Sequence, residues 1–195
     1  KGLEAGGARV TITPDWDEAL GGQALILPGV GSFGAAVRAL EGHAERVREA
    51  LEAGLPCLGI CLGMQLLFDG SEEGAGRGIG LISGTVRRLR APVVPQMGWN
   101  DVEPTPGHED DPLFRGLVVE GAQGGAREGA EGDATAPAGA PGLTAYYANS
   151  FICEPEDPAR ILATSSYGEE TLAAVVRRGR TWGVQFHPEK SSAQG

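Results

Sequence analysis

The fold is decided by residues 55–68, which read Leu-Pro-Cys-Leu-Gly-Ile-Cys-Leu-Gly-Met-Gln-Leu-Leu-Phe. The first six residues form an apolar run of strand length, and a helix over about Gly63–Phe68 follows at once. A strand that is apolar on both faces suits the interior of a parallel sheet whose faces are covered by helices. This stretch therefore predicts an α/β fold.

The residues before this stretch predict the same alternation of strands and helices. Thr13 followed by Pro14 predicts the N-cap and first position of a short helix that continues through Leu20. Apolar or β-branched runs predict strands, and apolar positions three and four residues apart predict helices. The strands are Arg9–Thr13 and Ala24–Leu27, and the helices are about Ala35–Leu40 and 43–53.

The later half of the chain predicts strands with little helix between them. We therefore expect an antiparallel or mixed extension of an open, mostly parallel central sheet flanked by helices. These strands are Thr85–Arg90, Tyr146–Ser150, Ile161–Ser165, Ala173–Val176 and Trp182–Phe186.

Composition limits the classes of protein that this chain can belong to. Its 195 residues fit a single domain, 1–195, and the net charge of −10 argues against a nucleic-acid partner held through phosphate contacts. The uncharged stretch 53–68 is broken by Pro56 and glycines, so no membrane span is expected. Three cysteines form no disulfide framework, which predicts a reducing, cytoplasmic setting.

A Gly/Ala-rich acidic segment lies at about 104–142. Its centre, 121–133, has no aliphatic residue larger than alanine and cannot bury enough apolar area to offset the entropy of ordering. We predict a flexible surface insertion. Between Asp101 and Asp133, nine acidic residues against two arginines contribute −7 of the net charge of −10.

The pattern Gly59-Ile-Cys-Leu-Gly63 indicates a nucleophile on a sharp strand-to-helix turn. A helix N-terminus favours the thiolate of Cys61, and the N–H of Leu62 points to the place where an oxyanion forms. The alternative is that Cys61 is a small buried apolar residue, as Cys57 within the strand is expected to be. No second Cys/His pair accompanies the two cysteines, so no metal site is predicted.

His187 is the candidate base for this thiol. It ends a predicted strand, and Pro188 keeps the chain extended, so that Glu189 points to the same side and can reach the imidazole. Cys61, His187 and Glu189 then form a nucleophile, a base and an orienting acid. The alternative is a surface histidine in a C-terminal turn.

A glycine-rich turn, Pro28-Gly29-Val30-Gly31, follows the predicted strand Ala24–Leu27. Glycines let a backbone N–H approach a ligand oxygen closely, as a second oxyanion donor requires. Four segments together, 27–34, 59–65, 95–100 (Pro-Gln-Met-Gly-Trp-Asn) and 187–191 (His-Pro-Glu-Lys-Ser), resemble the class I glutamine amidotransferases. More closely, they resemble the glutaminase subunits of imidazole glycerol phosphate synthase, from histidine biosynthesis. The resemblance covers nearly the whole chain outside the insertion.

The resemblance implies a flavodoxin-like fold and a thioester mechanism without a cofactor. Cys61 attacks the side-chain amide of glutamine, His187 transfers the proton and Glu189 orients His187. The oxyanion is held by the N–H of Leu62 and by an N–H of the Gly29–Gly31 loop, which rearranges.

The resemblance also implies a substrate site and a partner. Gln65 and the backbone around Ser150 and Phe151 hold the glutamine, and ammonia passes to a separate (βα)₈-barrel cyclase subunit. Core packing is the alternative role for Trp99. The implied partner interface consists of Gln96, Met97, Trp99, Asn100 and Lys190.

The sequence departs from the family pattern at both ends. The family opens with a strand and an Asp-Tyr-Gly-x-Gly-Asn loop and closes with a helix, and we expect the first strand and the last helix to be missing here. Two alternative functions remain open. One is a stand-alone γ-glutamyl hydrolase or cysteine peptidase of related fold, and the other is a non-catalytic binding subunit.

Overall fold

A computed structural model of the chain describes residues 2–115 and 143–191. Short 3₁₀ turns occur at Pro112–Phe114, Pro158–Arg160 and Pro188–Lys190. The described α-helices are Gly2–Ala5 (α1), Trp16–Leu20 (α2), Phe33–Leu40 (α3), Ala44–Glu52 (α4) and Leu62–Gln65 (α5). The described strands are Leu25–Leu27 (β1), Cys57–Ile60 (β2), Gly70–Ser71 (β3), Gly74–Arg77 (β4), Gly84–Arg88 (β5), Gln96–Pro104 (β6), Leu143–Asn149 (β7), Phe151–Pro155 (β8), Ile161–Tyr167 (β9), Glu170–Arg178 (β10) and Thr181–Val184 (β11).

Seven strands form the main sheet, in the order β1-β2-β11-β10-β9-β6-β7. β2 pairs in parallel with both β1 and β11, whereas the remaining pairs are antiparallel. The α/β fold and the expected antiparallel extension are therefore confirmed, and parallel pairing in this mixed sheet is confined to β1, β2 and β11. The reason is that β9, β10 and β11 follow one another through connections of two residues. Two residues suffice for an antiparallel hairpin but are too few for the crossover that a parallel pair needs.

A second, four-stranded sheet has the order β4-β3-β5-β8. β3 and β4 were not predicted, because both are short and glycine-rich and carry no alternation of apolar side chains. β5 pairs with β8, so the chain leaves the main sheet after Asn149 and β8 belongs to the second sheet.

The N-terminal predictions need two corrections. Residues 9–13 form no strand, and the side chain of Ile12 is 96% exposed. A β-branched run becomes a strand only beside a partner, and no described strand pairs with these residues. The N-cap of α2 is Asp15 rather than Thr13, and its side chain accepts a hydrogen bond from the N–H of Asp17.

Two apolar clusters lie on opposite faces of β10. Ala173 and Val176 belong to the cluster that α3, α4 and α5 cover, whereas Ala174 and Val175 belong to the other. The register of β10 against β9 shifts between these residues, which explains why strict alternation is broken there. None of the described helices is long and apolar enough to cross a membrane.

The first part of the predicted insertion is packed against the sheet. Phe114 is buried in the second apolar cluster. Asp111 is also buried, and it accepts hydrogen bonds from Trp182 Nε1 at 3.0 Å and Arg177 Nη1 at 2.6 Å. Residues 104–115 therefore belong to the folded domain. The remainder of the predicted insertion, 116–142, lies outside the described residues.

Candidate active site

Cys61 occupies a strained turn between β2 and α5. Its backbone has φ 46° and ψ −101°, and among the described residues it is the one non-glycine residue with a positive φ. A Cβ on Gly59 would lie 2.6 Å from the Gly63 carbonyl oxygen, and a Cβ on Gly63 would overlap the Leu27 carbonyl. The two glycines are therefore needed to let the turn close against β1.

The sulfur of Cys61 is buried, with 6% of the residue exposed. Burial raises the pKa of the Cys61 thiol to about 11, and the negative charges of Glu189 and Glu73 add to the rise. Hydrogen bonds from the Leu62 N–H and the Gln185 side chain lower the pKa but do not offset burial. The predicted thiolate is thus corrected to a thiol, since α5 is four residues long and desolvation outweighs its N-terminus.

His187 lies at the same edge of the sheet as Cys61. β2 and β11 run parallel in a register that pairs Ile60 with Val184, so the segments after both strands leave the sheet together. The N–H of Cys61 donates to the carbonyl of Val184 at 2.7 Å. His187 Nδ1 lies 2.8 Å from Glu189 Oε1, and His187 is buried whereas Glu189 is half-exposed.

The Gly29–Gly31 loop closes over this turn. A Cβ on Gly29 would lie 3.0 Å from the Ile60 carbonyl oxygen and 3.2 Å from His187 Cε1. Gly31 has φ 123°, and a Cβ there would lie 3.4 Å from Leu62 Cδ2. Val30, between the two glycines, is exposed. Three segments that are distant in sequence therefore meet at one place: this loop, the Cys61 turn and the His187 turn.

The predicted substrate residues also come together. Gln65 is buried on α5, and its Nε2 lies 3.5 Å from the carbonyl oxygen of Phe151. The side chain of Asn149 donates to the same oxygen at 3.2 Å. The carbonyl of Ser150 accepts a hydrogen bond from the N–H of Leu89 at 2.9 Å, so this group is already engaged.

Two polar residues that influence the thiol were not predicted. Glu73 Oε2 accepts a hydrogen bond from the N–H of Phe33 at 3.0 Å, and its charge acts on Cys61. Gln185 is fully buried, with its Nε2 3.5 Å from Cys61 Sγ. The usable signals were a polar residue within the apolar run before His187 and an acid pair shortly after the Cys61 helix.

Part of the predicted partner interface forms a surface patch. Met97 is 66% exposed and Trp99 is 47% exposed. Trp99 packs edge-on against the ring of Tyr146, with centroids 6.1 Å apart, and Lys190 Nζ lies 5.8 Å from the centroid of the same ring. We call Met97, Trp99, Tyr146 and Lys190 the β6–β7 patch.

Gln96 and Asn100 do not belong to this patch, which corrects the predicted interface. Gln96 is 2% exposed, and the Asn100 side chain donates to the carbonyl of Ser166 on β9. Side chains alternate between the two faces of a strand, so along β6 the odd-numbered residues point outward and these two point inward.

Comparisons with known proteins show the family of the chain. The family model for class I glutamine amidotransferases matches residues 7–195. Imidazole glycerol phosphate synthase subunit HisH of Microcystis aeruginosa is 39% identical, covering 100% of this chain and 83% of the relative. The subunit of the same name from Symbiobacterium thermophilum is 40% identical, with 99% and 81% covered.

Solved structures share the fold at lower identity. A crystal structure of glutamine amidotransferase has a TM-score of 0.64 and 19% identity, covering 96% of this chain and 82% of its own. The structure of PurLQS from Thermotoga maritima has a TM-score of 0.56 and 20% identity, with 86% and 69% covered. The chain belongs to the class I glutamine amidotransferase family and, within it, to the imidazole glycerol phosphate synthase subunits HisH.

Proposed function

We propose that the chain hydrolyses glutamine to glutamate and ammonia, and that the ammonia passes to a (βα)₈-barrel cyclase subunit. That subunit forms imidazole glycerol phosphate and aminoimidazole carboxamide ribotide. The observation that carries the proposal is the convergence of Cys61, on a strained turn, with a His187–Glu189 pair 2.8 Å apart at one sheet edge. The family relationship supports the same reaction class.

The reaction begins with transfer of the Cys61 proton to His187. Because Nδ1 faces Glu189, the other ring nitrogen is the one free to act as base. Cys61 Sγ bonds to the side-chain amide carbon of glutamine, and the C–N bond then breaks. His187 returns the proton to the departing ammonia and leaves a γ-glutamyl thioester. Water, activated by His187, cleaves the thioester to glutamate and the free thiol.

The charge that develops on the amide oxygen needs two donors. The N–H of Leu62 already points at the sulfur and lowers its pKa, so it lies close to the reacting centre. The second donor is an N–H of the Gly29–Gly31 loop, which packs against both Leu62 and His187. The close fit around Gly29 implies that this loop shifts to admit the substrate.

The polar groups around the thiol suit the two ends of glutamine. Gln65 and the backbone at Ser150–Phe151 lie on one side of the site and can hold the amino acid by hydrogen bonds. Glu73 supplies a carboxylate for the α-ammonium group, because a charge-assisted hydrogen bond is the strongest contact that this group can make.

The β6–β7 patch is the surface that we assign to the cyclase subunit. It presents a tryptophan, a methionine and a tyrosine beside a lysine, and aromatic residues and methionine are enriched in interfaces. The cytoplasmic location stays a prediction from the cysteine content.

The test is the release of glutamate from glutamine by the chain with and without the cyclase subunit and its ligand. We expect low activity alone and a large rise in the complex. Cys61→Ala should abolish turnover and leave binding to the cyclase subunit unchanged. Full activity without the partner would indicate a stand-alone hydrolase, and no activity in either state would indicate a binding subunit; both outcomes overturn the proposal.

A further inference from the structure

One short segment, 184–187, contacts Cys61 at both its backbone and its sulfur. The Val184 carbonyl accepts from the Cys61 N–H at 2.7 Å, and Gln185 Nε2 lies 3.5 Å from Cys61 Sγ. The N–H of Gln185 donates to the Ala174 carbonyl on β10 at 2.9 Å, so its backbone is fixed by the sheet. The side-chain amide of Gln185 therefore reaches the sulfur from a backbone position that the sheet fixes.

The sulfur needs a donor that stays with it through the reaction. Two N–H groups face it before substrate binds, from Leu62 and from Gln185. The Leu62 N–H is also the donor assigned to the amide oxygen, so it follows the charge to that oxygen when the carbon is attacked. The side-chain amide of Gln185 is then the donor that remains hydrogen-bonded to the sulfur when the sulfur is negatively charged.

Packing alone does not account for a glutamine at this position. Gln185 is fully buried between apolar neighbours, and its Oε1 has no hydrogen-bond partner among the described residues. A buried amide with an unsatisfied oxygen is costly, and an apolar side chain would avoid that cost. Within residues 2–115 and 143–191, the only hydrogen bond that the Gln185 side chain makes is the one with the Cys61 sulfur.

We propose that Gln185 is a positioning residue, whose side-chain amide donates a hydrogen bond to the Cys61 sulfur. The bond keeps the sulfur directed at the amide carbon and stabilises its negative charge. This proposal rests on the proposed glutaminase reaction, and it adds a second role to the segment that carries His187.

The first test compares Gln185→Met with the wild type. Methionine keeps the length of the side chain and removes the N–H. We expect kcat for glutamate release in the cyclase complex to fall roughly 10- to 100-fold, the effect of losing a hydrogen bond to a charged group, with KM little changed. The rate of Cys61 alkylation by iodoacetamide, followed on the Cys61 peptide by mass spectrometry, should fall about tenfold at each pH.

The matched control is Thr181→Val. Thr181 begins β11, the strand that ends just before Gln185, and it is equally buried. Its hydroxyl has no hydrogen-bond partner among the described residues, and it pairs with Cys57 rather than facing the nucleophile. This variant should keep the wild-type alkylation profile. An alkylation rate and kcat for Gln185→Met that equal those of the control would overturn the proposal.

A second variant covers the case in which Gln185→Met does not fold. Gln185→Glu keeps the length and places a carboxylate beside the sulfur, so Cys61 alkylation should be slower than in the wild type. Equal or faster alkylation overturns the proposal. Since alkylation needs no glutamine turnover, a wild type that releases no glutamate would contradict the glutaminase reaction while the alkylation result still decides the role of Gln185.

Discussion

At the residue scale, the nucleophile combines backbone strain with burial. A positive φ at a cysteine costs of the order of 1–3 kcal/mol, which the close packing of Gly59 and Gly63 maintains. Burial keeps the sulfur protonated, because its pKa is raised to about 11. In the proposed reaction the thiol therefore depends on a base at neutral pH, and His187, at the same edge of the sheet, is the residue proposed for this role.

A glutamine-like electrophile should label Cys61 and spare Cys57 and Cys153, because the other two thiols lie in the apolar core. Since the pKa of Cys61 is raised, the thiolate fraction below pH 11 grows with pH, and the labelling rate should rise about tenfold per pH unit through the neutral range. Peptide mass spectrometry of the labelled chain measures both effects. Equal labelling of the three cysteines, or a rate that is constant from about pH 6 to pH 9, would contradict this view of the site.

The Cys61 turn could be predicted from the sequence, whereas its chemical environment could not. The glycines on either side of Cys61 are a local requirement, so they can be found by inspection. Gln185 reaches the sulfur through strand register, and the charge of Glu73 acts on Cys61 from a loop that contacts α3; neither arrangement depends on local sequence. The expected thiolate was wrong for the same reason, since burial is a property of the whole fold.

At the element scale, the alternation of β6 determines which residues of the Pro-Gln-Met-Gly-Trp-Asn motif a partner can reach. Met97 and Trp99 point outward, and Gln96 points inward opposite Asn149 on β7. The outward-facing residues of the motif are therefore available to a partner, whereas its inward-facing residues contact the rest of the fold.

Trp99→Ala should weaken binding to the cyclase subunit by about 2 kcal/mol or more, which is about 30-fold in Kd, because exposed tryptophans dominate interface energies. The loss is measured by titration calorimetry. Ile12→Ala removes another exposed apolar side chain outside the β6–β7 patch and serves as the control. An unchanged Kd for Trp99→Ala would contradict the assignment of the patch.

Strand prediction succeeded where a continuous apolar run leaves a local trace and failed where pairing decides. Ala24–Leu27 and Leu55–Ile60 are continuous apolar runs, and both contain strands of the sheet. Residues 9–13 have the composition of a strand but no pairing partner in the part of the chain that is described. β3 and β4 lack the composition of strands, and they become strands by pairing with each other and, for β3, with β5.

At the scale of the whole molecule, one buried carboxylate joins a connecting segment to the sheet. Burial raises the pKa of Asp111. Hydrogen bonds from Leu113 and Trp182 and the charge of Arg177 lower the pKa by a larger amount, so the net pKa is below its ordinary value. The same contacts hold residues 104–115 against β10 and β11.

Asp111→Asn should lower the free energy of unfolding at neutral pH by about 1–3 kcal/mol, because Arg177 loses its charged partner. A lowered folded-state pKa stabilises the fold above the unfolded-state pKa of about 3.9, and this stabilisation is lost as the pH falls through the folded-state value. The difference between variant and wild type should therefore shrink in acid, as measured by urea denaturation at about pH 7 and about pH 3. The exposed neighbour Asp110 gives the control, Asp110→Asn; a difference that grows in acid would contradict the prediction.

The pairing of β2 with β11 also has a consequence for biosynthesis. The nucleophile and the side chain that contacts its sulfur are 124 residues apart in the chain, yet they become neighbours through one parallel ladder. A ribosome must therefore translate almost all of the described sequence before Cys61 and His187 can come together. A nascent or prematurely ended polypeptide carries Cys61 but lacks the machinery to use it, so it cannot consume glutamine before the domain has folded.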